Sequence, residues 1–97
     1  MLEKDITRAI MRYLKTVPGC FAWKEHGGMY STSGLPDIIC CIDGQFVGLE
    51  VKTPDGKVTK LQEVTLAKIQ AAGGMGVVVR SVDEVKTIIE TIRRSSG

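Results

Sequence analysis

The chain has 97 residues, 43% of them hydrophobic and 25% charged, with a formal net charge of +2 at pH 7. This length predicts one small domain, residues 1–97, with a modest core. No apolar run approaches the roughly eighteen residues of a membrane-spanning helix, and three cysteines do not describe a disulfide framework. Charges throughout the N-terminal segment exclude a secretory signal. We therefore expect a cytoplasmic protein with no membrane partner.

The first third of the chain predicts one helix, one strand and a long loop. Apolar residues at spacings of three and four predict a helix over residues 2–17, which Pro18 and Gly19 end. Alternating, partly aromatic residues 20–26 predict a strand, and the glycine-rich residues 27–36 predict a loop.

Two apolar runs in the middle of the chain predict a β-hairpin. They cover residues 37–42 and 46–52, and Asp43 and Gly44 lie between them. Both turn residues tolerate the positive φ angles of a type I′ turn, which makes this pair a strong hairpin signal.

The last third predicts a helix, a strand and a second helix. Thr59 and Gln62 form a capping box that opens a helix to about residue 72, and residues 75–80 predict a short buried strand. Ser81 and Glu84 form a second capping box, which opens a helix that frays over residues 93–97.

The resulting order is α-β-β-β-α-β-α. The strand–helix–strand unit around residues 46–80 predicts a right-handed crossover, with its two strands parallel. Both hairpin strands are apolar on both faces, as in sheets covered by helices on each side. The predicted fold class is therefore a small α/β sandwich with a mixed sheet flanked by helices.

The hairpin brings three charged residues together. A two-residue turn pairs Ile42 with Gln45 and, further out, Asp37 with Glu50. Residues directly opposed across two strands have Cβ atoms about 4.5–5.5 Å apart. Lys52 projects from the same face as Glu50, because side chains alternate along a strand.

Two adjacent carboxylates in an apolar element are costly unless one is protonated or a cation lies between them. Mg²⁺ binds such oxygen ligands while keeping waters for substrate phosphates. Together with Lys52, the pair has the parts needed for metal-assisted phosphodiester hydrolysis. The alternative is structural: Lys52 forms a salt bridge with Glu50, and Asp37 caps the loop.

These motifs resemble a known family. The chain contains Gly34-Leu35-Pro36-Asp37 followed by Glu50-Val51-Lys52, in the element order given above. This combination resembles the PD-(D/E)xK nuclease superfamily and, within it, the virus-type replication-repair nuclease (VRR-NUC) domain. The expected fold is restriction-endonuclease-like, and the expected activity is Mg²⁺- or Mn²⁺-dependent cleavage of DNA, in a bacterial or phage-infected host cell.

The resemblance also implies roles for individual residues. Asp37, Glu50 and the Val51 carbonyl would bind metal, and Lys52 would act on the water or the scissile phosphate. Glu3 would complete the acidic cluster, with a first-turn acid that favours the helix dipole as the alternative.

Gln62 would support the site from the second helix, unless it serves only in the capping box. For contacts to DNA phosphates we expect four further polar residues, for which ordinary solvent exposure is the alternative: Lys24, Ser33, Lys57 and Lys60.

Stand-alone relatives of this kind are similar to Holliday-junction resolvases and act as homodimers, which suits paired cuts in branched DNA. The runner-up hypothesis is a catalytically idle nuclease fold that binds DNA or serves in assembly. A domain acting on a small phosphorylated metabolite has no support, because no glycine-rich phosphate loop joins a strand to a helix here.

Overall fold

A computed structural model describes residues 1–26 and 33–96, with side chains as far as Ser95. Residues 27–32 of the predicted loop lie outside the described part. Three helices and four strands follow in the predicted order: α1 (Glu3–Leu14), β1 (Cys20–Lys24), β2 (Ile38–Ile42), β3 (Gln45–Val51), α2 (Lys60–Ala71), β4 (Met75–Val79) and α3 (Val82–Ser96). Within the described residues, no helix is long and apolar enough to cross a membrane.

Helix α1 is shorter than its apolar spacing predicts. The helix ends at Leu14, three residues before the expected end. The amides of Thr16 and Val17 donate to carbonyls only three residues back, at 2.9 and 3.1 Å. The chain therefore tightens into a turn before Pro18 and does not continue the helix.

The four strands form one mixed sheet in the order β1-β2-β3-β4. The first three strands are antiparallel, and β4 runs parallel to β3, as the crossover predicts. Asp43 and Gly44 have φ angles of 50° and 84°, so the turn is the tight one expected from the sequence. The hairpin register is also the predicted one, with Ile42 opposite Gln45 and Ile38 opposite Leu49.

Helices cover the sheet on both sides. Helices α1 and α3 cover one face, where the aliphatic side chains of alternate strand residues form the core. Helix α2 packs on the opposite face, against β3 and β4. We call this opposite side the α2 face. Along β3, Val47, Leu49 and Val51 point into the core, so Gly48 and Glu50 point to the α2 face.

Two glycines let the chain come close to α2 beside Asp37. A Cβ atom on Gly48 would lie 2.8 Å from Pro36 Cγ and 3.1 Å from Ile69 Cδ1. Gly34 has φ +81°, and a Cβ atom there would lie 2.7 Å from Leu61 Cγ. Neither glycine has room for a side chain. Gly34 and Pro36 of the Gly-x-Pro-Asp motif are therefore closely packed, and they fix the path of the chain into Asp37.

Candidate active site

Asp37 and Glu50 meet at the end of the hairpin. Regular pairing of β2 and β3 ends at Ile38 opposite Leu49, and the two acids occupy the next position on each side. The Asp37 Oδ2 atom accepts a hydrogen bond from the Val51 amide at 2.8 Å, which ties the residue to the end of β3. The Asp37 carbonyl accepts a bond of 2.8 Å from the Glu25 amide and so extends the pairing with β1. Two backbone amides, one bonded to the Asp37 side chain and one to the Asp37 carbonyl, therefore hold this residue against Glu50.

Glu50 is a buried acid with incomplete hydrogen bonding. The residue is only 1% exposed, and its Oε1 atom is buried without a hydrogen-bond partner among the described residues. The pKa of Glu50 is raised to about 8, mainly by burial and in addition by hydrogen bonding to the adjacent Asp37 and repulsion from its charge. The positive charge of Lys52 opposes this shift in pKa. This environment favours the protonated acid unless a cation comes to the carboxylate.

Gln62 contacts both the start of α2 and the Glu50 carboxylate. Its side-chain Oε1 atom accepts a hydrogen bond of 2.9 Å from the Thr59 backbone amide, and its backbone amide donates to Thr59 Oγ1 at 3.2 Å. Its Nε2 atom donates to Glu50 Oε2 at 3.1 Å. The capping box thus fixes the orientation of the Gln62 side-chain amide. Its Oε1 acceptor must face Thr59, and its Nε2 donor therefore faces Glu50. The two roles expected as alternatives are combined in one side chain.

Lys52 follows directly after β3. Its backbone amide donates to the Val79 carbonyl at 3.0 Å, which continues the parallel pairing with β4. Its side chain is partly exposed, and its charge is close enough to lower the pKa of Glu50. The residue therefore lies beside the carboxylate pair, at the border between the buried strand and solvent.

Glu3 lies at the first position of α1 and is exposed. Its charge makes the smallest of the contributions that raise the pKa of Glu50. Among residues 1–26 and 33–96, no three acidic, histidine or cysteine side chains form a group arranged to hold a metal ion. The structure therefore brings together the Asp37–Glu50 pair and leaves Glu3 at its margin.

The four residues expected to contact DNA are exposed. Lys24 ends β1, and Lys60 begins α2, one turn after Lys57 in the preceding loop. Ser33 lines an apolar groove of about 590 Å³ together with Leu35 and Leu61, on the α2 face beside Asp37. None of these four side chains contributes to the carboxylate pair itself.

The same architecture occurs in solved structures. One, a VRR-NUC domain protein, has a TM-score of 0.76 and 19% sequence identity over 93% of this chain and 86% of its own. Another, a VRR-NUC domain, has a TM-score of 0.75 and 22% identity over 91% of this chain and 94% of its own. This chain has the VRR-NUC fold. Neither a family sequence model nor a curated protein sequence matches it.

The structure also shows a role for a residue that the sequence did not single out. Arg80, directly after β4, donates from Nη1 to the carbonyl oxygens of Thr53 at 2.5 Å, Pro54 at 3.3 Å and Gly56 at 2.7 Å. One guanidinium group thereby secures the turn that follows Lys52. In the sequence, Arg80 is recognisable only as an arginine directly after a buried strand. This position does not indicate which carbonyl groups its side chain reaches.

Proposed function

We propose that this protein is a divalent-metal-dependent DNA endonuclease. The observation that carries the proposal is the Asp37–Glu50 pair, in which a nearly fully buried glutamate has one oxygen without a hydrogen-bond partner in the part of the chain that the structure describes. A fold maintained only for its shape gains nothing from two opposed carboxylates, since each raises the cost of ionising the other. The VRR-NUC fold of the two solved structures supports a nuclease role in addition.

The residues present fit a hard divalent cation such as Mg²⁺ or Mn²⁺. Asp37 and Glu50 supply carboxylate oxygens, and a cation would supply the partner that Glu50 Oε1 lacks among the described residues. Asp37, Glu50 and the Val51 carbonyl would hold the ion, with Glu3 reaching it through water or holding a second ion. When bound, the ion supplies Lewis-acid activation of a water and neutralises charge on the phosphate.

The remaining groups prepare the site for phosphodiester hydrolysis. Lys52 presents an ammonium group beside Glu50, where it can donate to a phosphate oxygen or orient the attacking water. Gln62 keeps Glu50 Oε2 in place, which leaves Oε1 as the oxygen available for the ion. Lys24, Ser33, Lys57 and Lys60 are exposed and suited to the DNA backbone.

For the substrate we propose branched DNA, including Holliday junctions, cut by a homodimer in DNA repair. Two sites related by a two-fold axis suit paired cuts on opposite strands of a junction. A single domain of 97 residues also has a limited surface for DNA, and a second copy doubles it.

Cleavage assays with matched variants test the proposal. Purified protein is incubated with four-way junctions, flaps and duplexes in the presence of Mg²⁺, Mn²⁺ or EDTA. We expect cleavage with metal only, and a loss of about 10²- to 10³-fold in rate for Asp37→Asn and for Lys52→Ala, with DNA binding retained by Lys52→Ala. Wild-type protein that binds DNA but cuts none of these substrates with either metal would instead support the idle DNA-binding module.

A further inference from the structure

The phenylalanine and tryptophan residues of this protein lie outside its core. The sequence contains two phenylalanines and one tryptophan. Phe21 is 70% exposed, Trp23 42% and Phe46 46%, whereas the buried cluster is built from aliphatic side chains and one cysteine. Large aromatic side chains normally supply much of a core, because each buries an area of about 150–250 Å². Their exposure here indicates a surface that meets another molecule.

All three rings lie on the α2 face, in line with the carboxylate pair. Phe21 is opposite Cys41, and Cys41 is opposite Phe46, which places two rings in one row across three strands. Trp23 belongs to the next row, opposite Ile39. We call Phe21, Trp23 and Phe46 the aromatic face.

The row after Trp23 contains the candidate active site. Glu25, Asp37 and Glu50 occupy successive strands there, and the Glu25 amide bonds the Asp37 carbonyl at 2.8 Å. Rows on one face of a sheet are two residues apart, about 6.6–6.8 Å. This spacing equals roughly two base steps of about 3.4 Å along a DNA strand.

Hydrogen bonding connects the tryptophan ring to this row. The indole Nε1 of Trp23 donates to Glu25 Oε2 at 3.2 Å, and Glu25 is bonded through its backbone to Asp37. The rings of Phe21 and Trp23 lie 5.6 Å apart between centroids, at an angle of 45°. The indole is therefore anchored to the candidate active site by its edge, while much of its surface stays open to solvent.

We propose that the aromatic face binds an unpaired base of DNA next to the scissile phosphate. The inference rests on the proposed function, because it takes the phosphate to lie at Asp37 and Glu50. A strand at that position brings neighbouring nucleotides within reach of Trp23. Aromatic side chains stack on bases whose faces are open, and bases inside a continuous duplex have no open face. Selection for branched or single-stranded regions then arises from stacking beside the metal site.

Trp23 reports binding directly, because it is the only tryptophan in the chain. Its emission is followed in EDTA while a short single-stranded oligonucleotide, or the same sequence as a blunt duplex, is added. We expect saturable quenching by the single strand and much weaker quenching by the duplex. Unchanged emission with the single strand would overturn the proposal.

Variants at the same position separate ring stacking from general apolar contact. Trp23→Phe keeps a ring, whereas Trp23→Leu keeps only apolar volume. For Trp23→Leu we expect single-strand affinity, measured by the fluorescence anisotropy of a labelled oligonucleotide, and the ratio of flap to duplex cleavage to fall about tenfold. Trp23→Phe should retain most of both. Val64→Ala, which truncates an exposed apolar side chain on α2, serves as the control, and thermal unfolding verifies that each variant folds.

Two further outcomes are decisive. If Trp23→Leu binds single strands as the wild type does, and instead converts a dimer into a monomer, the aromatic face is a self-association surface and the proposal is wrong. If single strands quench Trp23 but no DNA is cut, the binding inference stands while the nuclease proposal fails. The two proposals therefore fail by different measurements.

Discussion

The carboxyl group of Glu50 releases its proton in a pH range where most glutamates are already ionised. Its pKa is raised from 4.5 to about 8, first by burial and then by the adjacent Asp37. In metal-free protein the unfolded chain loses this proton near pH 4.5, whereas the folded chain keeps it to about pH 8. The contribution of Glu50 to stability is therefore fully present below pH 4.5 and is lost as the pH rises to about 8.

The direction of this pH dependence of stability can be tested by substitution. Glu50→Gln stays neutral at every pH, so we expect it to remove most of the decrease in the free energy of unfolding between about pH 5 and about pH 9 in EDTA. Urea unfolding of wild type and variant at both pH values measures the effect. At about pH 9 the variant should be the more stable protein, although it lacks cleavage activity. Parallel pH dependences in the two proteins would contradict the raised pKa.

At the scale of secondary-structure elements, the site depends on how closely α2 approaches the sheet. Gly48 on β3 touches Pro36 on one side and Ile69 of α2 on the other, with no space for a Cβ atom. Since Pro36 directly precedes Asp37, we expect crowding at Gly48 to displace the Asp37 carboxylate. Arg80 has a similar role next to Lys52, because its guanidinium group holds the turn that follows this lysine.

Gly48→Ala tests this coupling. Overpacking of this kind costs about 1–3 kcal/mol in stability, and we expect cleavage to fall as well because Pro36 is displaced. The double variant Gly48→Ala, Ile69→Val relieves only the contact with α2. Urea unfolding and cleavage rates should then show partial recovery of stability without recovery of activity. Full recovery of cleavage in the double variant would show that the contact with Pro36 is unimportant.

For the whole molecule, the proposed homodimer predicts a mass in solution of twice the 10.5 kDa of one chain. Light scattering coupled to size exclusion measures this mass directly. If the chain stays a monomer at the concentrations at which it cuts a junction, the homodimer proposal is wrong. Nuclease activity by a monomer would still be compatible with the proposed metal site, because Asp37, Glu50 and Lys52 all come from one chain.

The sequence predicts the fold and the carboxylate pair for a specific physical reason. Asp43 and Gly44 permit one tight turn, and this turn fixes every opposed pair along the hairpin up to Asp37 and Glu50. A local pattern of this kind predicts the structure well because few turn types are compatible with it.

Contacts between distant parts of the chain could not be read from such patterns. Gln62 has a recognisable capping position, but its bond to Glu50 depends on how α2 crosses the sheet. The second predicted capping box, at the start of α3, is formed only in part. The Ser81 hydroxyl accepts from the Glu84 amide at 3.2 Å as predicted, but the Glu84 carboxylate accepts from the Arg80 amide at 2.7 Å. Exposure of Phe21 also depends on α2 leaving β1 uncovered.

The double role of Gln62 has a consequence for heat inactivation. Terminal turns of helices fray before the rest of a domain unfolds, and the first turn of α2 carries the amide that holds the Glu50 carboxylate. Fraying of this turn releases Glu50 while the sheet and the core remain intact. We therefore expect the proposed nuclease activity to be lost on warming before the protein melts, so that the temperature range of activity is narrower than that of the folded state.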